Sequence, residues 1–274
     1  MHAPNTKEAR MNPQPGPDMT PPQQRPHAPA AIGILAGVAL LAGLFAPPAR
    51  AQAVPDYAAM VAAPDRSDAD READKRRDPV KLLGFTGVRP GMKVLDMGAC
   101  GGYSTELMAR AAGPSGKVYG QNAPDLGGRA KERIEARLQT PAMKNVVMLA
   151  RPFDDPLPAD ARDLDLVTFF FYYHDTTYMP VDRAEMNRKL FAALKPGGVL
   201  VIADHSARPG EGTSVAKTIH RIEESVLRRE VEAAGFKLVG EGDFFRHPED
   251  TRDFSVNRPT GPVDEFVLKY QKPN

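Results

Sequence analysis

From residue 93 onward the apolar positions switch repeatedly between a short-strand pattern and a helical one. Residues 93–97, 117–120, 145–149, 164–172 and 199–203 are short, β-branched or aromatic apolar runs that predict strands. Residues 104–112, 128–138 and 183–194 carry apolar side chains at helical spacing between them. The run at 164–172 is nearly continuous, with Leu166, Val167, Phe169, Phe170 and Phe171, as expected of a strand covered on both faces. The helix at 183–194 stops at Lys195-Pro196-Gly197-Gly198, a basic turn followed by breakers. A last helix is predicted at 221–234, ended by Gly235. Two further strands, 236–240 and 265–270, flank a polar loop and suit an antiparallel edge pair. Regular β-α alternation predicts a doubly wound sheet with right-handed crossovers, and such sheets bind ligands at the carboxyl ends of their strands.

The first part of the chain follows other rules. Eight of the 27 prolines precede residue 30, and residues 1–29 read as a disordered lead. Residues 30–46 are an uncharged apolar run, followed by Pro47-Pro48 and the small-residue sequence Ala49-Arg50-Ala51-Gln52-Ala53. Basic lead, apolar core and small-x-small site together form the pattern of a secretory signal over 30–53, cleaved after Ala51 or Ala53. Met19 gives this signal a more typical lead than Met1. The expected location is periplasmic or secreted, with an uncleaved membrane anchor as runner-up and no stable membrane association after cleavage. Residues 54–79 read as a charged helical lead-in with a solvated face, and 80–274 as the functional domain, opening with a short amphipathic helix at 79–85.

Composition narrows the function. A net charge of +1 provides no field for nucleic acid. The single Cys100 excludes an intrachain disulfide and a cysteine-based zinc cluster. The chemistry concentrates at Val94-Leu95-Asp96-Met97-Gly98-Ala99-Cys100-Gly101-Gly102, a strand that ends on an acid and runs into a glycine loop and a helix. Glycines let backbone close on a ligand, and the helix start offers unpaired N–H donors. A dinucleotide site needs G-x-G-x-x-G with an acid about 20 residues on; here the acid comes first.

This segment resembles the cofactor loop of class I S-adenosylmethionine-dependent methyltransferases. Residues 163–171 resemble their fourth-strand segment, and Leu194-Lys195-Pro196-Gly197-Gly198-Val199-Leu200 their approach to the fifth strand. The likeness covers about residues 80–272, and the C-terminal part resembles an exported bacterial subgroup. It implies an α/β fold: a doubly wound, mostly parallel seven-stranded sheet of the Rossmann-like methyltransferase type, with an antiparallel edge strand. It implies S-adenosylmethionine as cofactor and, as substrate, a small molecule methylated on oxygen or nitrogen. Asp96 would orient the cofactor's amino group, while Gly98, Ala99, Gly101 and Gly102 let backbone approach it. Three departures stand out. Cys100 occupies the place of the third glycine, and packing suits it better than nucleophilic chemistry. Gln121 and Asn122 replace the ribose-binding acid. Phe153 and Asp154 fall where the adenine ring would be held, either as its contacts or as a surface loop.

On the acceptor side, Tyr172-Tyr173-His174-Asp175 follows the fourth strand. His174 is the expected base, with Asp175 beside it. With Asp204 and His205 these residues can also bind a divalent metal, but the spacing is unspecific and no metal is assigned. His220 and Arg221 sit at the mouth of the pocket or serve as a cap. Two other readings stay open: a non-catalytic, ligand-binding envelope protein on the same fold, and a nicotinamide-dependent oxidoreductase.

Overall fold

A computed structural model describes residues 53–274. The lead expected to be disordered and the run expected to be a secretory signal lie outside the described residues, Ala53 excepted. The charged lead-in forms two helices, α1 (Tyr57–Val61) and α2 (Asp68–Arg77), followed by α3 (Pro79–Thr86). Ser67 caps α2 by accepting from Asp70 N–H at 3.1 Å. Asp78 caps α3, and Pro79 occupies its first position, where a missing N–H costs nothing.

The alternating unit then runs β1 (Lys93–Met97), α4 (Tyr103–Ala112), β2 (Lys117–Asn122), α5 (Gly128–Leu138), β3 (Val146–Ala150), β4 (Leu164–Phe170), α6 (Arg183–Ala193) and β5 (Leu194–His205). It closes with α7 (Ala216–Ile219), α8 (Glu224–Ala233), β6 (Lys237–Gly242) and β7 (Glu265–Gln271). The seven strands order as β3-β2-β1-β4-β5-β7-β6. Strands β1 to β5 pair in parallel; β7 pairs antiparallel with both β5 and β6. The expected antiparallel edge pair is therefore β6–β7, and β7 is the reversed member, one strand in from the edge.

Alternate strand residues feed two cores. Leu95, Val167, Phe169, Leu200 and Ile202 pack on one face with Leu190 of α6 and Val231 of α8. Val94, Val118, Leu166, Val201 and Val267 pack on the other with Leu83 of α3 and Leu107 and Met108 of α4. This two-sided burial explains the unbroken apolar run of β4.

Three expectations change. Lys195-Pro196-Gly197-Gly198 does not separate helix from strand; it lies within β5 as an irregular start, because Gly197 N–H and Gly198 C=O bond Lys272 at the end of β7. The helix expected at 221–234 begins at Glu224. Arg221 is fully buried instead, donating to Ser206 C=O at 3.0 Å and pairing with Asp250 at 2.7 Å. Ile222 N–H also bonds His205 C=O at 3.0 Å, so residues 220–222 are drawn onto the end of β5. The lead-in is more than a solvated face: Tyr57 OH donates to Val88 C=O at 2.7 Å, and Asp70 is buried. Among the described residues, no helix is long and apolar enough to cross a membrane.

Candidate active site

The carboxyl ends of β1 and β2 and Thr168 of β4 meet at one loop. Asp96, the acid of β1, is 1% exposed. Its carboxylate accepts from Ser104 Oγ at 2.8 Å, Thr105 Oγ1 at 2.6 Å and Thr168 Oγ1 at 2.8 Å. Burial pushes Asp96 upward, opposed by these three hydroxyls. Asp96 thus fastens the strand end to the first turn of α4 and to β4, and the glycine loop between is held as an arch.

The two amides expected on the ribose face this arch. Gln121 Oε1 accepts from Gly98 N–H at 3.1 Å, and its Nε2 donates to Arg151 C=O at 2.7 Å. Asn122 accepts from Cys100 N–H at 2.7 Å and donates to Cys100 C=O at 3.2 Å. Cys100 has φ +49, a left-handed conformation that glycine adopts without strain. The cysteine that departs from the glycine pattern is therefore clamped in glycine's conformation by the asparagine that departs from the acid pattern. Burial and the Asp96 charge push the Cys100 thiol up to about 11, so it is no nucleophile at neutral pH.

Ala99 is buried and bonds Gln121 C=O through its N–H at 2.9 Å. Gly98 lies against the Tyr172 ring; a Cβ there would meet it at 3.0 Å. Gly102 precedes α4 with φ +82 and no side-chain cap, leaving the first helical N–H groups free for a ligand. Gly101 C=O accepts from Arg137 Nε at 3.1 Å.

Phe153 is 2% exposed, stacked between Phe169 (5.9 Å) and Tyr172 (5.2 Å). Its ring supports Tyr172 from within the core and offers no open face for an adenine. Asp154 accepts from Asp182 N–H at 3.1 Å, at the entry to α6.

A cavity of about 500 Å³ opens above the arch, lined by Gly98 to Gly101, Ser104, Tyr172, Arg133 and, from the lead-in, Asp70 and Arg77. Sequence reasoning missed this contribution of α2. Arg137 of α5 clasps the helix to the loop: it donates to Asp70 at 2.9 and 2.8 Å and also to Glu106. Arg66 pairs with Asp74, which accepts in turn from Tyr103 OH at 2.6 Å. Arg77, the last residue of α2, stands out. It lies 4.8 Å over the Tyr103 ring, has no carboxylate within 4.0 Å among the described residues, and buries its Nε without a partner. Burial and the neighbouring Arg76 charge lower its pKa. The charge run at 65–72 signalled many ions, and only the fold shows which of them reach the loop.

Next to this cavity the ends of β4 and β5 hold a histidine–carboxylate cluster. His174 and Asp204 are almost wholly buried. His174 Nδ1 donates to Asp204 at 2.7 Å, and its own N–H donates to the other Asp204 oxygen at 2.8 Å. His174 Nε2 lies 3.2 Å from Asp175. Burial disfavours the imidazolium, but Asp204 and Asp175 outweigh it and raise the ring to about 10. The two carboxylates thus favour the protonated ring, which works against proton abstraction from a substrate by this histidine. Burial also opposes ionisation of Asp175, yet hydrogen bonds from His174, Tyr178 and His220 hold it below the usual carboxylate range. His220 joins the cluster because residues 220–222 are drawn onto β5; its Nδ1 lies 3.3 Å from Asp175. His205 stacks on Phe171 at 5.1 Å and sits 2.9 Å from Glu265, off the hydrogen-bond line.

A seven-stranded sheet in this order, with a reversed β7 and a glycine loop behind an acid, defines the class I methyltransferase fold. The family model described as a methyltransferase domain matches residues 89–235, and the chain belongs to that family. S-adenosylmethionine is the cofactor of this class. Among curated proteins, the UbiE C-methyltransferase of ubiquinone and menaquinone biosynthesis from Bordetella avium (strain 197N) is 32% identical over 124 residues, 45% of either chain. Protein-L-isoaspartate O-methyltransferase 1 of Arabidopsis thaliana is 30% identical over 116 residues, 42% of this chain and 46% of that one. The chain spans about half the length of the curated relatives it matches. A SAM-dependent methyltransferase from Aquifex aeolicus superposes with a TM-score of 0.53 at 19% identity, over 75% of this chain and 99% of that one. The [4+2]-cyclase SpnF has the same TM-score of 0.53 at 14% identity, over 75% and 81%. At those identities the two solved structures show the fold alone.

The site fits a zwitterionic amino-acid cofactor. An arginine Nε without a hydrogen-bond partner and uncapped helix N–H groups suit a carboxylate, and Asp96 supplies a negative field at the same loop.

Proposed function

We propose that this chain transfers a methyl group from S-adenosylmethionine to a small-molecule oxygen or nitrogen acceptor. When bound, the cofactor supplies an electrophilic methyl group on a sulfonium. The observation that carries the reading is Arg77, whose buried Nε has no hydrogen-bond partner and which has no carboxylate within 4.0 Å among the described residues, beside the glycine arch and the open start of α4. Arg77 and the α4 N–H groups hold the methionyl carboxylate, and the hydroxyl-fixed Asp96 attracts the ammonium. Gln121 and Asn122 act on the cofactor through the loop they brace. His174 and Asp175 line the acceptor side; His174 works as a fixed cation and keeps Asp175 ionised. Alignment of acceptor and sulfonium accounts for much of the rate in such a displacement.

The test is transfer of a labelled methyl group from S-adenosylmethionine into fractions of a cell extract, with wild type beside Arg77→Met. Label in a small-molecule fraction with wild type, and a KM for the cofactor raised in Arg77→Met, is the expected result. Label with neither protein argues instead for a ligand-binding protein on this fold. The cyclase neighbour is a reminder that the fold hosts other chemistry. Export rests on the apolar run and small-x-small site at 30–53. Fractionation showing the full-length chain in the cytosol refutes it.

A further inference from the structure

We propose that His174, Asp175 and His220 bind one divalent transition-metal ion with coordination positions open to an oxygen-bearing ligand. As the seat of a methyl acceptor, this site rests on the methyltransferase reading; as a metal site, it stands apart from it.

Geometry is the first support. His174 Nε2 lies 3.2 Å and His220 Nδ1 3.3 Å from the same Asp175 oxygen. The donor atoms of the three residues all fall within 4.8 Å of one another. Two ligands bonded at about 2.1 Å to one ion stand ~3.0 Å apart along an octahedral edge and ~3.4 Å along a tetrahedral one. The two separations to the Asp175 oxygen fall between these values. Two imidazoles and one carboxylate form a donor set for zinc, iron(II) or cobalt(II) rather than magnesium or calcium.

A second support comes from behind the cluster. Asp204, 0% exposed, takes the Nδ1 proton of His174 at 2.7 Å and fixes the ring through His174 N–H at 2.8 Å. That bond occupies Nδ1 and leaves Nε2, aimed at Asp175, as the ring nitrogen from which an ion would displace a proton. Metal-bound histidines almost always have a partner on the far nitrogen, and a carboxylate is one of the usual kinds. Sequence spacing grouped Asp204 and His205 with the ligands; the fold places Asp204 one shell out and puts His220 in the set.

Charge is the third. Among the described residues, no Lys or Arg lies within 4.0 Å of Asp175 or Asp204; only histidines face them. Buried Asp204 and largely buried Asp175 call for a cation; without an ion the protonated His174 fills that role, and a metal would replace its Nε2 proton. Tyr178 OH donates to Asp175 and would shift to its other oxygen. Asp175 and His220 remain partly open, at 16% and 27% side-chain exposure, so an ion here faces an approaching ligand. The substrate class this implies is a hydroxyl- or enol-bearing acceptor that binds through oxygen.

The test uses the untagged full chain, dialysed against chelator and titrated with cobalt(II), with visible absorbance as the readout. One saturable equivalent is expected. His220→Gln and Asp175→Asn should weaken it at least ~10-fold, while His247→Gln, at an exposed site elsewhere, leaves it unchanged. If His174→Ala does not fold, His220→Gln decides, because that ring is partly exposed. No saturable uptake, or equal loss in His247→Gln, overturns the metal site. Calorimetry with S-adenosylhomocysteine on the same samples separates the two ideas. Cobalt uptake without homocysteine-nucleoside binding overturns only the methyltransferase reading; the reverse result overturns only the metal site.

Discussion

Replacing Arg137 by methionine tests whether the lead-in helix is a working part of the site. The guanidinium is 14% exposed and joins Asp70 (8%) and Glu106 (6%) to Gly101 C=O. Methionine keeps the stem that packs beside Gly102 but removes every one of these bonds. Buried Asp70 then loses its paired cation, while Glu106 keeps Arg110 at 2.7 Å. Breaking such a pair from one side costs about 3–5 kcal/mol, and slight exposure favours the lower end. With a urea m-value of about 2 kcal/mol per M, a loss of about 3 kcal/mol lowers the midpoint by about 1.5 M. Lys131→Met is the control: its pair with Glu135 spans 4.0 Å, with the two side chains 60% and 62% exposed, and should change little. The assay is urea unfolding followed by circular dichroism, with limited proteolysis at α2 as a local readout. A shift in Arg137→Met no larger than the control would refute the clasp.

Asn122→Ala should cost about 2–3 kcal/mol, because it strands the Cys100 N–H and frees a residue held at φ +49; a change under about 0.5 kcal/mol in thermal unfolding argues against the clamp. Gly102→Ala forces a Cβ to within 2.5 Å of Ile134 at φ +82; a loss of at least 2 kcal/mol is expected, and an unchanged melting temperature contradicts it. With its thiol near 11, Cys100 should react with iodoacetamide at pH 8 roughly a hundred-fold more slowly than a free thiol; a rate near that of glutathione contradicts its placement. In the metal-free protein the His174 ring, raised to about 10 from its ordinary 6.5, adds stability that is whole below about pH 6.5. That stability drains away as pH rises toward 10, so the melting temperature should fall over this range in wild type and less in His174→Gln; parallel curves sink the argument.

The sequence showed the sheet because its signals are local. Five parallel strands and the three helices between them appear within one or two residues, apart from β5, since the apolar runs of the central strands must be covered on both faces. Its long-range bonds were not legible. The breakers at 195–198 entered β5 because Lys272, far along the chain, offered partners. Arg221 left its helix for Asp250, and this rearrangement delivered His220 to Asp175. Of the expected site, the glycine arch and Asp96 lie together as read. Gln121 and Asn122 reach it through the loop backbone, and Phe153 lies in the core because Phe169 and Tyr172 stack on both its faces. The unpartnered Arg77 was hidden within a charge run whose composition does not distinguish a solvated ion from a buried one.

The central claim is that the arch, the open start of α4 and Arg77 together hold the amino-acid end of S-adenosylmethionine. Calorimetric titration of S-adenosylhomocysteine into wild type and Arg77→Met, with NAD as the competing ligand, tests it most directly. Saturable binding to wild type is expected, with affinity lowered about 10- to 100-fold in Arg77→Met as a charged hydrogen bond is lost, and no heat with NAD. Equal affinity in the two proteins contradicts the role of Arg77. No binding to wild type contradicts the site itself.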